Sequence, residues 1–148
     1  MRPLFDASAL LNIVRSLGTE SLEYLRGGHI LTLTLYEIGN ALWKEAVLLD
    51  NITLNEAISL LNQITKIRRI LNVTEPQDTQ LVIRVADKLK ITYYDSSYIV
   101  AAYELNTVLV TDDNRLRKRI HEKEDALTRI LGDRVASYTT EEYIKTRR

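Results

Sequence analysis

Four aspartates at three places in the 148-residue chain are placed to do chemistry together: Asp6, Asp95 and the adjacent pair Asp112 and Asp113. Each place comes straight after a short apolar run that reads as a strand: Pro3 to Phe5, Ile91 to Tyr94 and Val108 to Val110. Each also comes straight before a segment that reads as a helix. In a parallel α/β sheet, ligands sit in the crevice outside the carboxyl ends of the strands, so residues from separate junctions can meet there. Carboxylates gathered at one edge repel, and the usual remedy is a hard divalent cation such as Mg2+ or Mn2+, which takes oxygen ligands. The local explanation is helix capping, because Asp is a favoured N-cap and satisfies the free amides of a first turn. Ser, Thr or Asn would cap as well, so three junctions that share Asp bring the two explanations to about equal weight.

Other chemistries find less support. The chain has no cysteine, which excludes disulfide scaffolds, thiolate metal sites and cysteine nucleophiles. His29 and His121 would be the acid and base of a metal-independent ribonuclease. His29, however, opens an apolar strand and His121 lies in a charged helix, positions that suit structural or solvated roles. Twenty basic residues balance twenty acidic ones, so no overall positive field attracts a polyanion. Local charge is available in Arg115, Arg117, Lys118 and Arg119, of which Arg115 and Arg119 share a helix face and suit phosphate oxygens. A solvated charged helix explains the same run. Tyr93, Tyr94, Tyr98, Tyr103 and Trp43 read more simply as packing residues than as base-stacking ones.

The elements that must position these residues alternate between strand and helix, which indicates one α/β domain over residues 1 to 148 with a mainly parallel sheet. The patterning predicts helices over Ala7 to Leu17, Thr19 to Arg26, Leu35 to Leu49, Gln77 to Leu89 and Ser96 to Leu105, and one starting near Asn114. A strand is predicted at His29 to Thr34, another at Val135 to Tyr138, and a closing helix at Thr140 to Lys145. Thr53 with Glu56 is a capping box for a long helix carried by Leu54, Ala57, Ile58, Leu61, Ile64 and Ile67. Within Leu35 to Leu49 the wheel puts Leu35, Gly39, Leu42, Ala46 and Leu49 on the core stripe. Glu37, Asn40 and Lys44 fall on the far side, where a solvated face is the ordinary reading. No apolar run approaches the roughly 20 residues of a membrane span, and no signal-peptide pattern opens the chain, so the expectation is a soluble cytoplasmic protein without membrane partners.

Four segments resemble the motifs of PIN domains, in order. Leu4-Phe5-Asp6-Ala7-Ser8 is similar to the opening motif, Tyr36-Glu37-Ile38-Gly39-Asn40 to the second, Tyr94-Asp95-Ser96-Ser97 to the third, and Val110-Thr111-Asp112-Asp113-Asn114 to the fourth. The resemblance runs from Met1 to about Leu116 and points in particular to the VapC toxins of toxin-antitoxin pairs. It implies a three-layer α/β/α fold and a site of Asp6, Glu37, Asp95 and Asp113. Asp112 is the variable position beside the fourth acid, and the two neighbours leave that assignment ambiguous by one residue. The implied supporting residues are Ser8, Asn40 and Thr111.

The activity implied is an endoribonuclease that hydrolyses phosphodiester bonds with Mg2+ or Mn2+ held by the carboxylates, with Arg115 and Arg119 on the substrate. The partners implied are RNA, a second copy of the chain and an antitoxin protein. The helices over Leu35 to Leu49 and Leu54 to Leu71 agree with an interface, since they carry more aliphatic residues, including Leu48, Leu60 and Leu61, than one face can hide. Three other readings have distinct signatures. A noncatalytic PIN-like binding module would keep the acids only as caps, and an RNA-processing PIN nuclease would lack the antitoxin. A phospho-acceptor receiver would pair acids after its first strand, where Asp6 stands alone.

Overall fold

Five very short strands organise the computed structural model, which describes residues 2–148. They are β1 (Leu4–Phe5), β2 (His29–Leu31), β3 (Asn72–Thr74), β4 (Leu109–Val110) and β5 (Ser137–Tyr138). All pair in parallel in the order β3-β2-β1-β4-β5. The chain winds outward from β1 through β2 to β3, then crosses to the other side of β1 for β4 and β5. The winding direction therefore reverses between β1 and β4, where a crevice opens at the carboxyl ends.

Alternation along the strands creates two cores. Leu4, Leu31 and Leu109 point to one face, covered by α5 (Thr79–Leu89), α6 (Tyr93–Glu104), α7 (Asn114–Glu122) and α8 (Glu124–Leu131). Phe5, Ile30 and Val110 point to the other. That face is covered by α1 (Ala7–Leu17), α2 (Ser21–Leu25), α3 (Thr34–Trp43), α4 (Leu54–Ile67) and α9 (Thr140–Thr146). This is a three-layer α/β/α architecture. Gly28 sits where a Cβ would come within 2.5 Å of the Phe5 ring, so a side chain there would push on the strand that carries Asp6.

Several elements differ from the sequence expectation. Ile91 to Tyr94 forms no strand: Thr92 caps α6, which begins at Tyr93, so Asp95 stands in the first turn of a helix instead of after a strand. Its β-branched and aromatic residues read as a strand because a capping Thr and two tyrosines have the same composition. The third parallel strand is instead β3, which the sequence reading missed; its Asn and Thr residues flank one aliphatic side chain at a sheet edge. The strand at His29 stops at Leu31, because the Thr34 hydroxyl accepts the Leu31 amide at 3.0 Å and turns the chain into α3.

The buried stripe of α3 is Thr34, Ile38 and Leu42; of the predicted set Leu42 is buried, Leu35 and Ala46 pack partly buried against the core, and Leu49 is exposed. Glu37, next to Ile38, is accordingly half-buried at the edge of that stripe. Beyond Trp43 the helix widens into a π-helical turn, Lys44–Leu48. Thr53 caps α4 by accepting the Glu56 amide at 3.1 Å, while the complete reciprocal capping box is Thr139 with Glu142 at α9.

Candidate active site

Asp6 follows β1 directly and caps α1, its Oδ1 accepting the Ala9 amide at 2.9 Å. The same oxygen accepts the Ser8 hydroxyl at 2.7 Å, and Oδ2 accepts the Thr111 hydroxyl. Those two hydroxyls are relays. Ser8 Oγ accepts the Asp112 amide at 3.0 Å, and Thr111 Oγ1 accepts the Asp113 amide at 3.1 Å. Two amide-to-hydroxyl-to-carboxylate chains thus lock the end of β1 to the end of β4 across the crevice. Three donors occupy Asp6, and a carboxylate offers about four lone-pair sites, so one remains.

Burial pushes the Asp6 carboxyl up to about 6 and the Asp113 charge adds to that rise, against the hydrogen bonds of Thr111, Ser8 and Ala9. Glu37 comes from the first turn of α3, just past the carboxyl end of β2. Its Oε1 accepts the Tyr98 hydroxyl at 2.6 Å, and that hydroxyl is also 2.8 Å from Thr34 Oγ1. Burial raises its pKa, and the charges of Asp95, Asp6 and Asp113 raise it further, while the Tyr98 bond opposes them. Asp95 is raised by burial and by Asp113, with the Thr92 hydroxyl and Arg115 acting the other way. Asp113 caps α7, its Oδ1 accepting the Arg115 amide at 2.9 Å and the Leu116 amide at 3.1 Å. Four carboxylates from four separate helix starts therefore feel one another at the carboxyl edge of the sheet.

Asp112 has a different role. Its Oδ1 accepts the Thr140 amide at 2.8 Å, and its Oδ2 accepts the Thr140 hydroxyl at 2.6 Å and the Asn12 amide at 2.7 Å. It ties α1 and α9 to the end of β4. Asn40 is exposed one turn beyond Glu37 and makes no hydrogen bond to the four acids among the described residues. Arg115 and Arg119 line a hollow of about 480 Å3 together with Asp95 and Asp113. Arg117 turns elsewhere, 3.4 Å from Glu142. His29 and His121 lie away from the acids, lining two other hollows.

Sequence reasoning missed Tyr98 and Thr34 as supports for Glu37. The signal was present, because Tyr98 is three residues after Asp95 and shares its helix face. Tyr94, by contrast with the buried Tyr98, is 62% exposed beside Asp95.

The donor set fits a hard divalent cation: every ligand is a carboxylate oxygen, and like charges with raised pKa values are relieved by a positive ion. Among the described residues, no three acidic or histidine side chains are drawn into a ready-made cage.

No family model matches the chain. Among curated proteins, Exonuclease VapC9 of Pyrobaculum aerophilum is 34% identical over 113 residues, spanning 76% of this chain and 81% of that protein. The chain belongs to the VapC family of PIN-domain proteins. The crystal structure of PAE2754 from the same species superposes with a TM-score of 0.68 at 32% identity, covering 90% of this chain and 97% of that one. Among the described residues of this VapC-family chain, no helix is long and apolar enough to cross a membrane.

Proposed function

We propose that this chain is a divalent-metal-dependent ribonuclease that cuts RNA phosphodiester bonds internally, acting as the toxin of a VapBC-type pair. The observation that carries the proposal is the group of Asp6, Glu37, Asp95 and Asp113 at the reversal point of the sheet, with three pKa values raised by burial and shared charge. A set of satisfied helix caps in a noncatalytic module would not need to accumulate that repulsion. Family membership supports the same reading.

Asp6, Asp95 and Asp113 would hold Mg2+ or Mn2+, with Glu37 at the edge of the set. When bound, the ion lowers the pKa of water and offsets charge on the phosphate. The chain's own residues do the rest. Ser8, Thr111 and the Ala9 amide fix the rotamer of Asp6, so its remaining lone pair points in one direction. Tyr98 holds Glu37 by Oε1, which leaves Oε2 to receive the proton that an attacking water gives up, a role its raised pKa suits. Arg115 and Arg119 bind phosphate oxygens from the adjoining hollow.

The proposed protein partners are a second copy of the chain and an antitoxin. The surface that supports this is the face of α3, the π-helical turn and α4, where Trp43, Val47, Leu48, Leu49, Leu54 and Ile58 are each about half exposed. Such a patch on a chain this small favours covering by protein.

The name of the Pyrobaculum relative makes trimming from an RNA end the second reading. Metal-stripped protein incubated with end-labelled RNA, with and without Mn2+, tests both. Internal fragments that appear only with metal, and not with Asp6→Asn, support the proposal. A ladder that shortens one nucleotide at a time supports trimming, and no metal-dependent product at all refutes a nuclease.

A further inference from the structure

The hollow that touches the acids has an unusual wall. The cations Lys90, Arg115, Lys118 and Arg119 line it together with the acids Asp95, Asp113 and Glu122 and the uncharged Ile91, Thr92 and Leu116. Its volume of about 480 Å3 is in the range of small-ligand clefts. The four cations come from two separate elements, the C-terminal end of α5 and the first two turns of α7, so the cluster is not one helix's solvated face.

These charges are little used within the protein. Lys118 and Arg119 share one acceptor, Glu122, at 3.8 and 3.9 Å, with all three side chains well exposed. Lys90 reaches Asp87 at 3.1 Å, again between exposed groups. Pairs of that kind contribute little and exchange readily for a better anion. Arg115 lines the same hollow as Asp95 and favours its charged form.

Lys90 adds a backbone argument. It follows α5 in the left-handed conformation, with φ of 54°, a position at which glycine is the ordinary choice. A long cationic side chain is kept there at a conformational cost, and it lines the hollow.

We infer that this hollow seats the phosphodiester next to the one being cut, with Lys90 and Lys118 as its anchors and Arg115 as the bridge to the reacting phosphate. The inference rests on the proposed nuclease activity and names how the RNA strand is held there. The seat reads charge, not base identity, because its wall offers cations to phosphate oxygens. It also sets the strand on one side of the acids, which gives the cut a direction.

The test uses the full-length protein with a fluorescein-labelled single-stranded RNA oligonucleotide, in Mn2+ for cleavage and in chelator for binding across a salt series. The variants are Lys90→Gly, which removes the amine while suiting the left-handed backbone, and Lys118→Ala. Lys90→Arg serves as rescue, and Arg129→Ala is a control for loss of one charge on exposed α8. The seat predicts KM raised several-fold in Lys90→Gly and Lys118→Ala with kcat nearly unchanged. It also predicts a salt slope of binding reduced by about 1 for each variant. Lys90→Arg and Arg129→Ala should match wild type.

A neutral methylphosphonate at the linkage beside the cut should weaken wild type and leave the two lysine variants no weaker than before. Cleavage in which the lysine variants behave like Arg129→Ala overturns the seat and leaves the nuclease intact. A loss confined to kcat overturns it too, since the lysines would then act on the reacting phosphate. Binding with the predicted slopes but no cleavage refutes the nuclease and keeps the anion seat, whereas neither binding nor cleavage refutes both.

Discussion

Asp112 and Asp113 are neighbours in sequence and opposites in environment. Asp112 has donors from Asn12 and Thr140 on both oxygens, so its charge is fully engaged in holding α1 and α9 to the sheet. Asp113 uses Oδ1 to cap α7, and its Oδ2 has no donor among the described residues. Its charge instead bears on Asp6, Glu37 and Asp95. The lesson is that residue type and strand-end position do not separate a structural carboxylate from a candidate ligand. What separates them is whether the protein balances the charge or leaves it for something else to balance.

The comparison can be broken most severely at Asp6. Asp6→Asn removes a charge from the unbalanced group and keeps the capping ability, so the fold survives. Activity should fall on the order of a thousandfold, the scale of losing several kcal/mol of transition-state stabilisation. Metal-dependent RNA cleavage by the folded variant checks this, and retained activity would remove Asp6 from the site. Asp112→Ala should do the reverse. Leaving the Thr140 and Asn12 donors unmatched costs about 1 to 3 kcal/mol of stability, with specific activity of the folded fraction close to wild type. Thermal melts alongside cleavage rates separate the two outcomes.

Acidity sharpens the contrast further. Asp6 has its carboxyl raised from 3.8 to about 6 in the folded chain. At this carboxyl the native state therefore binds more protons than the unfolded state between those values, so the contribution of Asp6 to metal-free stability is greatest below about 4 and falls as pH rises through 6. The loss is on the order of 2 to 3 kcal/mol, at 1.36 kcal/mol per pKa unit. A divalent ion at pH 7.5 should restore a similar amount once it is well above its dissociation constant. Melts of chelated protein at pH 4.5, 6 and 7.5, repeated with Mn2+, measure both parts, and a metal-free melting point that rises toward pH 7.5 would contradict the picture. The smallest effect belongs to Tyr98→Phe, which frees Glu37. An activity loss of about 10-fold is expected, as for removal of a group that orients a ligand. The same change should cost on the order of 1 kcal/mol of stability.

Much of this was legible beforehand, for reasons that particular residues make plain. The α1 boundaries followed from an apolar stripe between Asp6 and Gly18, and the order of alternating elements was enough to give a parallel α/β fold. β3 was not legible, because an edge strand of three residues with one aliphatic side chain carries almost no pattern. Asp6 and the Asp112-Asp113 pair stood out by position alone, and only the family resemblance favoured Asp113 within the pair. Asp95 was singled out on a mistaken premise: it lies in the first turn of α6, not after a strand. Glu37 was visible only through the family resemblance, since its half-burial depends on a helix phase set by Thr34, whose hydroxyl bonds the backbone of β2. The separation of Asp112 from Asp113 depended on Asn12 and Thr140, which lie 100 and 28 residues away.

The measurement closest to the central claim is calorimetric titration of Mn2+ into metal-stripped wild type, Asp113→Asn and Asp112→Asn. Asn caps helices as well as Asp does, so Asp113→Asn keeps α7 in place and changes only the charge. The account predicts binding in wild type and Asp112→Asn and its loss in Asp113→Asn. Equal binding in all three, or loss confined to Asp112→Asn, would contradict it.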